Sequence, residues 1–193
     1  MKKILLTTAA VAVLASSSAY ATEGNFFVKA NIGWTKMSKI KGLKSKNNAF
    51  FGVGAGYHIM DNVRVDLTFD HFVNPEFKKS GKKIKGEVNT LLLNGFIDLF
   101  DISIAKIFAG AGIGGSQVKA KKSGDTVDAN NGSAKQKYNI AYAAYLGSSV
   151  EFAPGMTGEL AYSYRAIGKT KKLNGTDFDF KGHNVGAGVR FEL

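Results

Sequence analysis

From His183 to Leu193 the sequence changes character at every step. His183, Val185, Ala187, Val189, Phe191 and Leu193 fall on one side of an extended strand, and Asn184, Gly186, Gly188, Arg190 and Glu192 fall on the other. Successive side chains of a strand point to opposite faces, so this period of two makes a surface apolar on one side and polar or bare on the other. Tilted by roughly 40°, these residues rise about 28 Å, enough to cross an apolar band ~25 Å tall. The same stretch would also serve as an edge or hairpin strand of a soluble sandwich. What separates the two readings is recurrence.

The alternation does recur. Phe26, Val28, Ala30, Ile32 and Trp34 oppose Phe27, Lys29, Asn31, Gly33 and Thr35. Ala49, Phe51, Val53, Ala55, Tyr57 and Ile59 oppose Gly52, Gly54, Gly56 and His58, and after the turn at Asp61-Asn62, Val63, Val65, Leu67, Phe69 and His71 oppose Arg64, Asp66, Thr68 and Asp70. Glu87–Leu99 is a fourth strand blurred by Leu91-Leu92-Leu93, with a turn expected at Phe100-Asp101 and a blurred, glycine-rich fifth strand from Ile102 to Val118. Tyr138–Phe152, Met156–Ile167 and the terminal stretch complete eight, with Ala153-Pro154-Gly155 as a short turn. Short turns alternate with long connections, as in membrane barrels, and an eight-stranded closed sheet leaves no edge unpaired in lipid. The expected fold is all-β, an eight-stranded antiparallel transmembrane β-barrel.

The first residues read as an export signal: Met1-Lys2-Lys3, an apolar run from Ile4 to Ala15, and Ala19-Tyr20-Ala21 as a small-residue cleavage site. Residues 1–21 are expected to be a signal peptide and 22–193 the barrel domain. Cysteine is absent, which excludes a disulfide framework, thiolate metal sites and a cysteine nucleophile. The net charge is +11, and export argues against nucleic acid as the reason for it.

Where the charge sits is more informative. The connections 38–48, 73–86, 118–137 and 168–181 carry +4, +4, +3 and +2, so the rest of the processed chain is net acidic. Lys39, Lys41, Lys44, Lys46, Lys78, Lys79, Lys82, Lys83, Lys85, Lys121, Lys122, Lys169, Lys171 and Lys172 would converge at one end as four long basic surface loops, a field that attracts polyanions. The inward face carries both signs: Lys29, Arg64, Asp66, Asp70, Glu159, Arg165, Arg190 and Glu192, with Asp98 and Glu151. In a barrel just wide enough for its own side chains, these are expected to pair as a lumen charge network rather than line a wide channel.

Other motifs carry less. Gly110-Ala-Gly112-Ile-Gly114-Gly115 fits the dinucleotide pattern, but no helix follows to hold a pyrophosphate. His58, His71 and His183 lack metal-ligand spacing, so neither a metal nor a cofactor is expected. Some small barrels are lipid-modifying hydrolases with a serine and histidine at the rim. Here Ser163 is expected to face inward and His183 outward, which keeps base from nucleophile and leaves no catalytic residue to name.

Several stretches resemble a known family. Gly54-Ala-Gly56-Tyr57, Asn62-Val-Arg64-Val-Asp66-Leu-Thr68, Leu92-Leu-Asn94-Gly95-Phe96-Ile97-Asp98, Phe108-Ala-Gly110-Ala-Gly112 and Glu159-Leu-Ala161-Tyr162-Ser163-Tyr164 are similar to the candidate surface adhesins of rickettsiae. These belong to the small outer-membrane barrels, related in architecture to opacity proteins and the barrel of outer-membrane protein A. Gly188-x-x-Phe191-x-Leu193 resembles the C-terminal signal read by the barrel-assembly machinery. The resemblance implies adhesion to host cells and binding of the serum protein vitronectin; the chain is expected to be a monomer in outer-membrane lipid and not an enzyme. The alternatives are a structural barrel that stabilises the envelope and a lipid-modifying hydrolase.

Overall fold

A computed structural model describes residues 24–37, 44–45, 47–73, 76–79, 82–123, 136–173 and 176–193. The leader 1–21 lies outside them. The strands are β1 (Phe26–Met37), β2 (Lys44–Ser45), β3 (Asn47–Met60), β4 (Val63–Phe72), β5 (Glu76–Lys79), β6 (Lys82–Ile102), β7 (Ala105–Ser123), β8 (Gln136–Ala153), β9 (Met156–Leu173) and β10 (Thr176–Glu192). All pairings are antiparallel, and β6 pairs with β7 to close the sheet. The wall is an eight-stranded barrel, β1-β3-β4-β6-β7-β8-β9-β10, with the short β2 and β5 added beyond β6 at one end. The first and last strands meet along a continuous register from Phe27↔Glu192 to Met37↔Gly182.

The faces follow the alternation. Ile32, Trp34, Val53, Leu67, Leu93, Ile113, Leu146, Leu160 and Val185 point outward and are roughly half exposed or more. Arg64, Asp66, Thr68, Asp70, Thr90, Asn94, Ser163, Arg165 and Arg190 point inward and are buried. Polar groups in and apolar groups out is the inverse of a soluble core and suits a wall solvated by lipid.

Two expectations are corrected. The turn after β6 is at Ser103-Ile104, not Phe100-Asp101, and Ser103 adopts φ 56°. Much of what reads as basic loop is instead strand: β6 begins at Lys82, β7 runs to Ser123, β9 to Leu173, and β10 starts at Thr176. At 21 residues, β6 rises about 50 Å, roughly twice the apolar band, so it projects well past lipid. The three short turns, 61–62, 103–104 and 154–155, share the opposite end with Gly24 and Leu193, and backbone bonds Gly24 N–H to His58 O and Leu193 N–H to Phe26 O tie that end together.

Candidate functional site

The lumen is filled from the short-turn end outward by three groups of charges. Nearest the turns, Arg64 donates to Asp98 (2.6 Å) and reaches Glu159 (3.4 Å). Arg190 donates to Glu159 (2.6 Å) and Glu192 (2.7 Å), and His58 lies 3.1 Å from Glu192. In the middle, Lys29 meets Asp66 at 2.6 Å, and the same carboxylate accepts from Thr68 (2.8 Å) and Asn94 (2.7 Å). Tyr145 donates to Asn94 (3.0 Å), joining β8 to the group. Farther out, Arg165 donates to Asp70 (2.7 Å), which also accepts from Asn31 (3.2 Å). Apart from Glu151, each charge expected on the inward face thus has an oppositely charged partner; Glu151 is instead exposed at the short-turn end, where it accepts from the Gly155 N–H (3.3 Å). Asp98, His58 and Asn94 belong to the same lattice.

The lumen is not simply wet. Phe27, Phe50, Phe72, Phe96 and Phe108 are buried inside the barrel. The Arg64 guanidinium carbon lies 4.9 Å from the Phe96 ring and 4.7 Å from the Phe108 ring, and Arg165 sits near Phe50, Phe72 and Tyr145. Such contacts let a planar cation keep favourable electrostatics without water. The reason the rings fit is legible in the register. Phe27 stands opposite Gly56, Phe50 opposite Gly33, Phe96 opposite Gly110, and Phe108 opposite Gly147. A Cβ at Gly147 would lie 2.5 Å from Phe108 Cζ, and one at Gly33 would lie 2.7 Å from Phe50 Cε1. The nucleotide-like glycines are therefore seats for rings: Gly110 faces Phe96 and Gly112 faces Asn94. Among the described residues, the cavity bounded by Lys29, Asn94, Phe96 and Arg165 has a volume of about 50 Å³, room for no more than a few waters.

The long-connection end is different. Lys39, Lys41 and Lys46 lie outside the described residues. Backbone register places Lys44 opposite Lys78, Lys78 opposite Lys83, Lys79 opposite Lys82, and Lys85 opposite Lys121. Glu76 stands opposite Lys85, Lys122 opposite Ile84, and Lys169 opposite Asp179, while Lys171 and Lys172 lie on the projecting part of β9. Thus β2, β5, β6 and β7 gather lysine positions from three of the basic segments.

The hydrolase pair does not form. Ser163 is buried in the lumen and bonded by Asn184 (3.3 Å), whereas His183 lies on the outer wall beside Tyr162. Among the described residues, no cluster of His, Asp and Glu has the arrangement of a metal site.

A family model described as "outer membrane protein beta-barrel domain" matches residues 5–191. A Rickettsia conorii protein named a candidate adhesin is 38% identical, over 92% of this chain and 86% of its own length. A Rickettsia felis protein of the same designation is 34% identical over the whole of both chains. Among solved structures, Neisserial surface protein A superposes with a TM-score of 0.67 at 21% identity, covering 89% of this chain and 100% of that one. Ail, the attachment invasion locus protein of Yersinia pestis, superposes at 0.54 with 13% identity over 89% and 100%, and that protein is also known in complex with the heparin analogue sucrose octasulfate.

Proposed function

The chain belongs to the outer membrane protein β-barrel family and lies in a bacterial outer membrane, and from that premise we propose that it is a surface adhesin whose basic rim captures host molecules. The observation that carries this reading is the lysine-on-lysine register of β2, β5, β6 and β7 beyond the membrane-spanning wall. Like charges directly opposite one another in a sheet are destabilising, and a partner of opposite sign relieves the repulsion. The designation of its relatives as candidate adhesins points the same way. Host targets are acidic or sulfated surfaces and a serum protein of the vitronectin kind.

In this account the leader 1–21 directs export and is cleaved after Ala21. The barrel-assembly machinery inserts a monomer with its long connections outward. A polyanionic ligand is then steered by the field of the rim and held by contacts along the projecting strands. Screening lengths near 10 Å at 0.1 M salt make such attachment steeply salt-dependent. The protein is displayed on a non-adhesive bacterium and incubated with serum and with host cells. Capture of a serum protein and cell attachment are expected, both falling at least about tenfold when Lys44, Lys78, Lys79, Lys82, Lys83 and Lys85 become glutamate. Unchanged capture by that folded variant sinks the electrostatic account. Absence of capture by the parent, with envelope leakage on deletion, would favour a purely structural barrel.

A further inference from the structure

Among the described residues of the lipid-facing wall, a lysine and a cluster of rings meet across β1, β10 and β9. Lys36 stands directly opposite His183 across the β1–β10 pair, and His183 stands opposite Tyr164 across β10–β9. Lys181 precedes His183 on the same face of β10, and Trp34, 66% exposed, is one step nearer the membrane centre, opposite Val185. The imidazole of His183 packs between two phenols, with ring centroids 5.9 Å from Tyr162 and 5.2 Å from Tyr164. The Tyr162 hydroxyl lies 2.5 Å from its Nδ1. With that hydroxyl donating to Nδ1, the neutral ring carries its proton on Nε2.

Depth assigns the environment. Over the eleven residues from Leu193 to His183 the tilted strand rises about 28 Å, just past the ~25 Å apolar band, so this cluster sits where acyl chains give way to headgroups. Aromatic residues belong at that level whatever their neighbours. The Lys36 ammonium needs more: a charge on the lipid face is costly unless an anion at the same height meets it. Elsewhere on the outward wall the described polar pairs lack this. His71 bonds Asn89 (2.6 Å) beside Phe51, and Gln117 bonds Tyr138 (3.1 Å).

We propose that the wall formed by Trp34, Lys36, Tyr164 and His183 binds the phosphate of a phosphorylated outer-leaflet glycolipid. Lys36 and the Nε2–H of His183 meet the phosphate, and the faces of Trp34 and Tyr164 lie against the sugar and the first acyl carbons. This site is separate from the basic rim and shares no residue with it.

Trp34 is the sole tryptophan of the chain and reports on the site directly. The folded protein in phosphatidylcholine nanodiscs is titrated with diphosphoryl lipid A and with a dephosphorylated lipid of the same acyl chains, reading Trp34 emission. A saturable change with the phosphorylated lipid alone is expected. It should weaken by about tenfold in Lys36→Gln/His183→Ala, and stay at the parent value in Lys106→Gln at the opposite end. Retention of heat-modifiable electrophoretic mobility checks folding, and Lys36→Gln alone serves if the double variant does not fold. Equal response to both lipids, or a folded variant that titrates like the parent, overturns the proposal.

Discussion

The two ends of this barrel treat charge in opposite ways. Toward the short turns, Arg64, Asp98, Glu159, Arg190 and Glu192 lock one another at 2.6–3.4 Å inside the wall. Toward the long connections, register sets lysine positions against lysine positions. A buried charge must be paired because water is not there to solvate it. A charge on strands projecting into solvent carries no such obligation. The contrast teaches that composition alone misleads: two of the overall +11 charges are Lys2 and Lys3 of the leader, and the rest is the sum of a nearly balanced interior and basic connections.

Breaking a pair in the lumen should have the largest effect. Asp70→Ala strands the Arg165 guanidinium against Phe50 and Phe72, and should cost about 3–5 kcal/mol in urea unfolding from lipid vesicles. The double variant Asp70→Leu/Arg165→Met should recover much of that loss, since the cost lies in the orphaned charge rather than in the missing pair.

A smaller loss is expected from the ring seats. Gly110→Val sets two methyl groups where the Phe96 ring rests and should destabilise by about 1–3 kcal/mol in the same assay. Phe96→Ala added to it should give less than the sum of the separate losses. Strict additivity would mean the ring and the glycine do not share the space.

The smallest change sharpens the comparison from the other side. Lys44→Gln, Lys78→Gln and Lys83→Gln together should shift stability by under about 0.5 kcal/mol per site while weakening capture of a polyanionic ligand. A stability loss comparable with Asp70→Ala would mean the rim is built into the fold.

The strand faces were legible wherever lipid lies outside and polar groups inside. In β3, β4 and β10 the period of two separates the faces residue by residue. The blur at Leu91-Leu92-Leu93 has a physical cause: Leu92 faces a lumen that packs apolar groups among its charges, so inward is not always polar. The turn at Ser103-Ile104 was hidden because no glycine, proline, asparagine or aspartate marks it and the lone Ser103 sits between two isoleucines, of which Ile104 is 79% exposed. The far ends of β6, β7 and β9 read as loops because their sequences, rich in lysine, serine and glycine, carry too little alternation of apolar and polar residues to mark a strand. The ring seats were visible only once register was known. Phe96 and Gly110 lie on successive strands whose register the misplaced turn conceals, and nothing local in either stretch announces the other.

The seam between β1 and β10 joins the segment synthesised first in this domain to the one synthesised last. Until that final strand arrives, the half-built wall presents two raw margins, each eager to pair with any extended chain nearby. Closure therefore waits on the last strand: a copy clipped before Gly182 keeps both margins open and has no way to finish the wall.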